Sequence, residues 1–240
     1  MGAEVFYGRR IDTSGPIVGT LNESSLHAEL KRRYAQPGDA FEVPIDRFVA
    51  DIARDLSGPD PRLIEIQTAS FAAMGTKLDH LLPRFRITIV HPIVVRTRLD
   101  RPGRKPRLSP KKGSLHLLFG ELVSMPTLLD HPNLDIDAIL LDVVKVQEID
   151  RHVRRGRGGF RTIDKRIETV HGTHRFASMD DVYDAFVPDD LPARFTTADL
   201  AAAAGVPRSV AQQMAYCFKY SCHLSENDRT REGIVYTRSR

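Results

Sequence analysis

Apolar positions recur at helical spacing in "TLNESSLHAELKRRY", where Leu26, Leu30 and Tyr34 form one stripe that Asn22 or Ser24 would cap. "QPGDA" breaks that pattern. Short alternating runs follow: "FEVPI" and "RFVADIAR", joined tightly at Asp46-Arg47, then "RLIEIQT" after the Gly- and Pro-rich loop "DLSGPDP". "SFAAMGTKLDHLL" returns to helical period, with Phe71, Met74, Leu78 and Leu81 on one face. "FRITIVHPIVV" is apolar at successive positions, as expected of a strand covered on both sides. The order is helix, three strands, helix, strand, and it predicts an α/β fold: a mixed sheet flanked by helices, with a crossover helix between parallel strands. Further on, "LHLLFGELVSMPTLLDHP" predicts a helix stopping at Pro126. "DAILLDVVKVQEI" predicts another sheet strand, and "RHVRRGRGGFRTIDKRIETV" opens as a glycine- and arginine-rich loop.

The period changes again near Asp180. Thr196 or Thr197 would cap an Ala-rich helix over 198–204, Gly205-Val206-Pro207 a turn, and 208–222 a second helix with Val210, Met214, Cys217 and Phe218 inward. "LSENDRTREGIVYTR" then reads as a two-stranded hairpin. Helix, Gly-containing turn, helix and hairpin are the parts of a small C-terminal winged helix-turn-helix. The chain thus divides into an arm over 1–19, an α/β domain over 20–178 and a winged-helix domain over 179–240.

One local pattern conflicts with its apolar surroundings. Asp51 and Glu65 interrupt Val, Ile and Leu in the second and third predicted strands. Strand alternation puts Leu63, Glu65 and Gln67 on one face and Val49, Asp51 and Ala53 on another, so a hairpin brings the two acids side by side. Adjacent carboxylates repel unless one is protonated or a cation lies between them. A hard divalent ion such as Mg²⁺, held by few protein oxygens and a substrate phosphate, resolves this, with Gln67 facing the same place. Glu23, continuing the helical stripe, supplies a third acid, and Glu29 is second choice. The alternative is structural pairing, of Asp51 with Arg54 or Arg62 and of Glu65 with Arg47.

"NESSLHAELKRRY", "FVADIAR", "LIEIQT" and "RITIVHPIVV" together resemble the PD-(D/E)XK nuclease superfamily, with its restriction-endonuclease-like fold, over about residues 20–97. The resemblance implies a metal-dependent endonuclease, a phosphodiester hydrolase using Mg²⁺ or Mn²⁺. Asp51 would be the central metal ligand, Glu65 the second, with the Ile66 carbonyl beside it and Glu23 as the helix-borne acid. The family's usual Lys is Gln67 here. A neutral amide can position water but not neutralise charge; Lys77 on the next helix would be a migrated replacement, the alternative being a solvated helix-surface Lys. The substitution also raises an alternative, a catalytically inactive nuclease-fold protein that binds DNA or regulates.

Charge distribution bears on the partner. The formal charge is +4 over 240 residues. Arg96–Lys112 carries eight Lys/Arg against one Asp, and Arg151–Arg175 eight against two acids. Such blocks favour an anionic partner, here DNA. Arg104, Lys105, Lys111, Lys112, Arg154, Arg155, Arg157 and Arg161 would contact phosphates. The second unit would use Arg208, Gln212, Gln213, Lys219, Arg229 and Arg231. The acidic 180–199 segment offers docking to another protein, and coordinated double-strand cutting would require a homodimer. Two cysteines, Cys217 and Cys222, make neither a disulfide framework nor a zinc set. With no spanning apolar run and no signal sequence, no membrane and a cytoplasmic location are expected.

Overall fold

The computed structural model describes residues 24–150, 159–231 and 233–239. The proposed arm, Glu23, Arg154, Arg155 and Arg157 lie outside them. Helix α1 (Ser25–Tyr34) starts where Ser24 Oγ accepts from His27 N–H. Strands β1 (Ala40–Ile45), β2 (Phe48–Arg54) and β3 (Arg62–Ile66) follow, β1 turning into β2 at Asp46, which has a positive φ. A 3₁₀ turn (Phe71–Met74) and α2 (Gly75–Leu81) lead to the long β4 (Arg86–Asp100) and the short β5 (Arg107–Leu108). The helix expected from Leu115 to a stop at Pro126 is broken into a 3₁₀ turn (Leu115–Leu118) and α3 (Phe119–Leu122), and a second 3₁₀ turn (Leu128–Asp130) follows.

Strands β6 (Leu134–Ile149) and β7 (Phe160–Phe176) complete a seven-stranded mixed sheet of order β1-β2-β3-β4-β6-β7, with β5 added to β4. β3 and β4 run parallel across the α2 crossover, as do β4 and β6; the pairs β1–β2, β2–β3 and β6–β7 are antiparallel. The Gly- and Arg-rich opening expected over 151–158 lies outside the described residues, and the strand β7 was not foreseen. Its register against β6 shifts at three places. Each shift leaves an extra residue on β7 and breaks the two-residue period that would have revealed the strand.

Two apolar layers cover the sheet. On one side Leu26 and Leu30 of α1 pack on Ile52, Ile64, Ile66, Val90, Ile139, Leu141 and Val143. The helix is fixed at both ends: Asp164 on β7 accepts from Ser25 N–H (3.1 Å) and Oγ (2.8 Å), and Tyr34 Oη donates to Asp137 on β6 (2.9 Å). On the other side Leu63, Ile87 and Ile89 meet Phe71, Leu78 and Leu81.

That second layer continues into the C-terminal segment. Helix α4 (Met179–Phe186), not foreseen from the sequence, precedes β8 (Arg194–Thr196), α5 (Thr197–Ala203), α6 (Arg208–Tyr220) and the hairpin β9 (Leu224–Thr230) and β10 (Gly233–Arg238). Thr196 and Asp199 form a reciprocal capping box at α5. α6 stops two residues earlier than expected, before Cys222 adopts a positive φ. β8 adds to β10 as a third strand. Phe119 packs edge-on against both Phe186 and Phe218, so α3, α4 and α6 share one core. Among the described residues no helix is long and apolar enough to cross a membrane.

Candidate functional site

The site forms where β2 parts from β3. The two strands pair from Arg54↔Arg62 to Ile52↔Ile64. One residue further, at Asp51, the backbone ladder stops and a side chain takes its place. Asp51 Oδ2 accepts the Ile66 N–H at 2.8 Å. A strand residue directs its N–H and C=O to the same edge, so the Ile66 carbonyl faces this opening too. On the far edge, Gln67 N–H donates to the Val90 carbonyl (2.9 Å). Pro92 has no N–H to return, and His91 Nδ1 donates to the Gln67 carbonyl instead (2.8 Å).

Asp51 and Glu65 are brought together as the alternation demands, and their charges interact. Their surroundings differ. Asp51 also accepts from His27 Nε2 (3.3 Å), and Lys31 Nζ lies 3.7 Å from its other oxygen. Burial pushes the Asp51 carboxyl upward, but the bonds from His27 and Ile66 and the Lys31 charge outweigh it, and the net shift is down. Glu65 is 6% exposed, and Oε2 accepts from Lys77 Nζ at 2.5 Å while Oε1 is buried without a hydrogen-bond partner. Burial pushes its carboxyl up to about 7; Lys77 opposes the shift, and the Asp51 and Glu42 charges add to it.

The arginines that could have neutralised these acids are engaged elsewhere, Arg54 with Asp39, Arg62 with Asp60, while Arg47 lies over the Phe48 ring. The cations that do so are lysines. Lys77 is not a solvated helix-surface residue: besides Glu65 it donates to the Val49 carbonyl (2.7 Å). Lys31 is 3% exposed and pairs with Glu42. Gln67 departs from expectation, since its amide Nε2 donates to the Ser70 carbonyl (2.7 Å). Glu29 is half-buried on α1 and outside this network.

Lys31 and Glu42 are the members that the sequence reading missed. Glu42 carried a signal, an acid inside "FEVPI" matching the acids inside the next two strands. Its positive φ lies directly across from Asp51, where β1–β2 pairing is interrupted. Spacing of four residues on α1 also puts His27 and Lys31 on one face.

His27, Lys31, Glu42 and Asp51 line a cleft of about 550 Å³ with Ser24, Thr68 and residues 162–165 of β7. A divalent cation can be tested against this donor set. An unpartnered buried carboxylate oxygen beside a second carboxylate fits a cation. Among the described residues no three His, Cys, Asp or Glu side chains converge to hold an ion unaided. Asp51, Glu65 and the Ile66 carbonyl would therefore share it with water and a substrate phosphate.

The expected phosphate contacts lie in different surroundings. Lys111 and Lys112 are exposed on the loop after β5. Arg161 is paired with Glu148, and Lys219 with Glu226 (2.8 Å). Arg208, Gln212 and Arg229 line a groove of about 300 Å³ between α6 and the β9–β10 hairpin, and Arg231 is exposed at the hairpin turn. Gln213 lies instead towards Gly120, on the side where α6 meets α3.

Residues 24–177 match the model of a family described as Domain of unknown function (DUF8091). The chain is also 27% identical over 194 residues to an uncharacterized protein of Treponema pallidum (strain Nichols), covering 77% of this chain and 73% of that one. No solved structure matches it.

Proposed function

The chain belongs to the DUF8091 family, and for this member we propose a metal-dependent nuclease of the PD-(D/E)XK type that hydrolyses phosphodiester bonds in DNA. The observation that carries the reading is the strand fork. Asp51 replaces the broken β2–β3 ladder by holding the Ile66 N–H, with the buried, half-satisfied Glu65 beside it and an open cleft in front. The order α1, β2, β3, α2, β4 supports a restriction-endonuclease-like core. The order α4, β8, α5, α6, β9, β10 supports a winged helix for holding DNA.

Asp51, Glu65 and the Ile66 carbonyl would hold Mg²⁺ or Mn²⁺, which when bound lowers the pKa of a coordinated water and neutralises charge on the phosphate. The residues of the chain prepare that place. The Ile66 N–H fixes one Asp51 oxygen, and His27 and Lys31 keep that carboxylate ionised. Lys77 brings to Glu65 the positive charge that Gln67 lacks. The α6–hairpin groove, with Arg208, Gln212 and Arg229, supplies contacts to backbone phosphates.

Plasmid nicking in Mg²⁺ or Mn²⁺ tests the reading. The wild-type chain cleaves and stops in EDTA, while Asp51→Ala abolishes cleavage and still binds the plasmid. Undiminished cleavage by Asp51→Ala contradicts it. One observation favours a second reading, a DNA-binding protein without catalysis: both carboxylates already have cations of the chain's own, and the Gln67 amide is bound to Ser70. Binding of DNA in EDTA with no nicking in either metal would select it.

A further inference from the structure

On its α1 side β6 presents Ile139, Leu141 and Val143 to the apolar layer. Two-residue alternation continues that face to Lys145 and Gln147. The switch from apolar to basic comes level with the start of α1 at Ser25, which is fixed to Asp164 on β7. Lys145 pairs directly across the β6–β7 ladder with Lys165, which lines the Asp51 cleft. Like charges directly opposite on antiparallel strands cost stability.

A third lysine reinforces the clash. The loop after β5 is tied to β4 on both sides of Lys111: Ser109 N–H donates to the Thr97 carbonyl (2.7 Å) and Gly113 N–H to Val95 (2.9 Å). Gly113 is needed there, since a β-carbon would lie 2.1 Å from the Val94 carbonyl. The tether keeps Lys111 near enough to act on Lys145. Burial lowers the Lys145 pKa first, and the Lys165 and Lys111 charges lower it further. No carboxylate pairs with any of the three lysines among the described residues. Asp164, the nearest acid in sequence to Lys165, is taken by Ser25 and Arg166.

We propose that Lys111, Lys145 and Lys165 form a phosphate-backbone seat that feeds a nucleic-acid strand into the Asp51 cleft. The seat rests on the nuclease reading for its direction but not for its existence, because it requires only a polyanion. Three ammonium groups that have no carboxylate partner among the described residues carry a standing repulsion that a run of phosphates removes. Binding to phosphates in this way is independent of sequence and steeply dependent on salt.

The test is fluorescence anisotropy of a labelled duplex DNA oligonucleotide with the full chain in EDTA, across a salt series. Changing Lys145 and Lys165 together to Gln weakens binding about tenfold and flattens the slope of log affinity against log salt by about two. Tm stays level or rises, because the opposed charges are gone. Lys145→Arg with Lys165→Arg restores both affinity and slope. Wild-type affinity and slope in the Gln variant overturn the proposal, as does a loss of affinity that the Arg variant fails to restore. Asp51 is untouched and no cleavage is read, so this result and the nicking result can fail independently.

Discussion

Asp51 and Glu65 face each other across one strand fork, yet their environments push them in opposite directions. Asp51 is held by three donors or cations and shifts down; Glu65 has one lysine and one buried bare oxygen and rises to about 7. Two neighbouring carboxylates with separated titrations are a common mark of sites that manage charge and protons. The difference teaches that burial alone does not decide a carboxyl's state. The number of hydrogen bonds to the charged form does.

The strongest way to break the comparison is to remove the one cation of Glu65. Lys77→Met removes the charge that opposes protonation of Glu65, so Glu65 keeps its proton to higher pH and the cost, read by urea unfolding, grows by up to about 1.4 kcal/mol per pH unit above about 7. The loss shrinks in acid, where Glu65 takes a proton. An unchanged urea midpoint at pH 8 would show that the pair is not buried as described.

A second effect sharpens the contrast through pH. The folded pKa of Glu65, about 7, lies above its ordinary 4.5. Between those values the folded chain keeps a proton that the unfolded chain has released. Without divalent ions, stability therefore falls as pH rises from about 4.5 to about 7, by up to about 3 kcal/mol, and levels off above. Asp51 acts in another window: its contribution is present above its ordinary 3.8 and is lost as pH falls through its lowered folded value. Glu65→Gln should flatten the upper window and leave the acid limb; persistence of the upper slope would assign it to another group.

Much of this was legible in the chain because the signals were local. The α1 stripe, the Ser24 cap, the α2 crossover and the adjacency of Asp51 and Glu65 all follow from spacing of a few residues. What was hidden depended on partners far along the chain or on broken period. β7 lost its alternation to three register shifts. Spacing offers Lys77 as a replacement for the missing Lys but cannot tell it from a solvated helix-surface residue; its bond to Glu65, twelve residues away, decides that. Gln67 sat at the right position for the site, but one rotamer choice gave its amide to Ser70. The Lys145–Lys165 opposition needed the β6–β7 register, which neither strand carries alone.

The central claim is that Asp51 and Glu65 are a pair built to share a cation. Titrating Mn²⁺ into the chain bound to a duplex oligonucleotide, with free Mn²⁺ followed by electron paramagnetic resonance, tests it most directly. The account predicts saturable binding in the wild type that is lost in both Asp51→Asn and Glu65→Gln. Equal Mn²⁺ uptake by all three proteins, or none by the wild type, would contradict it.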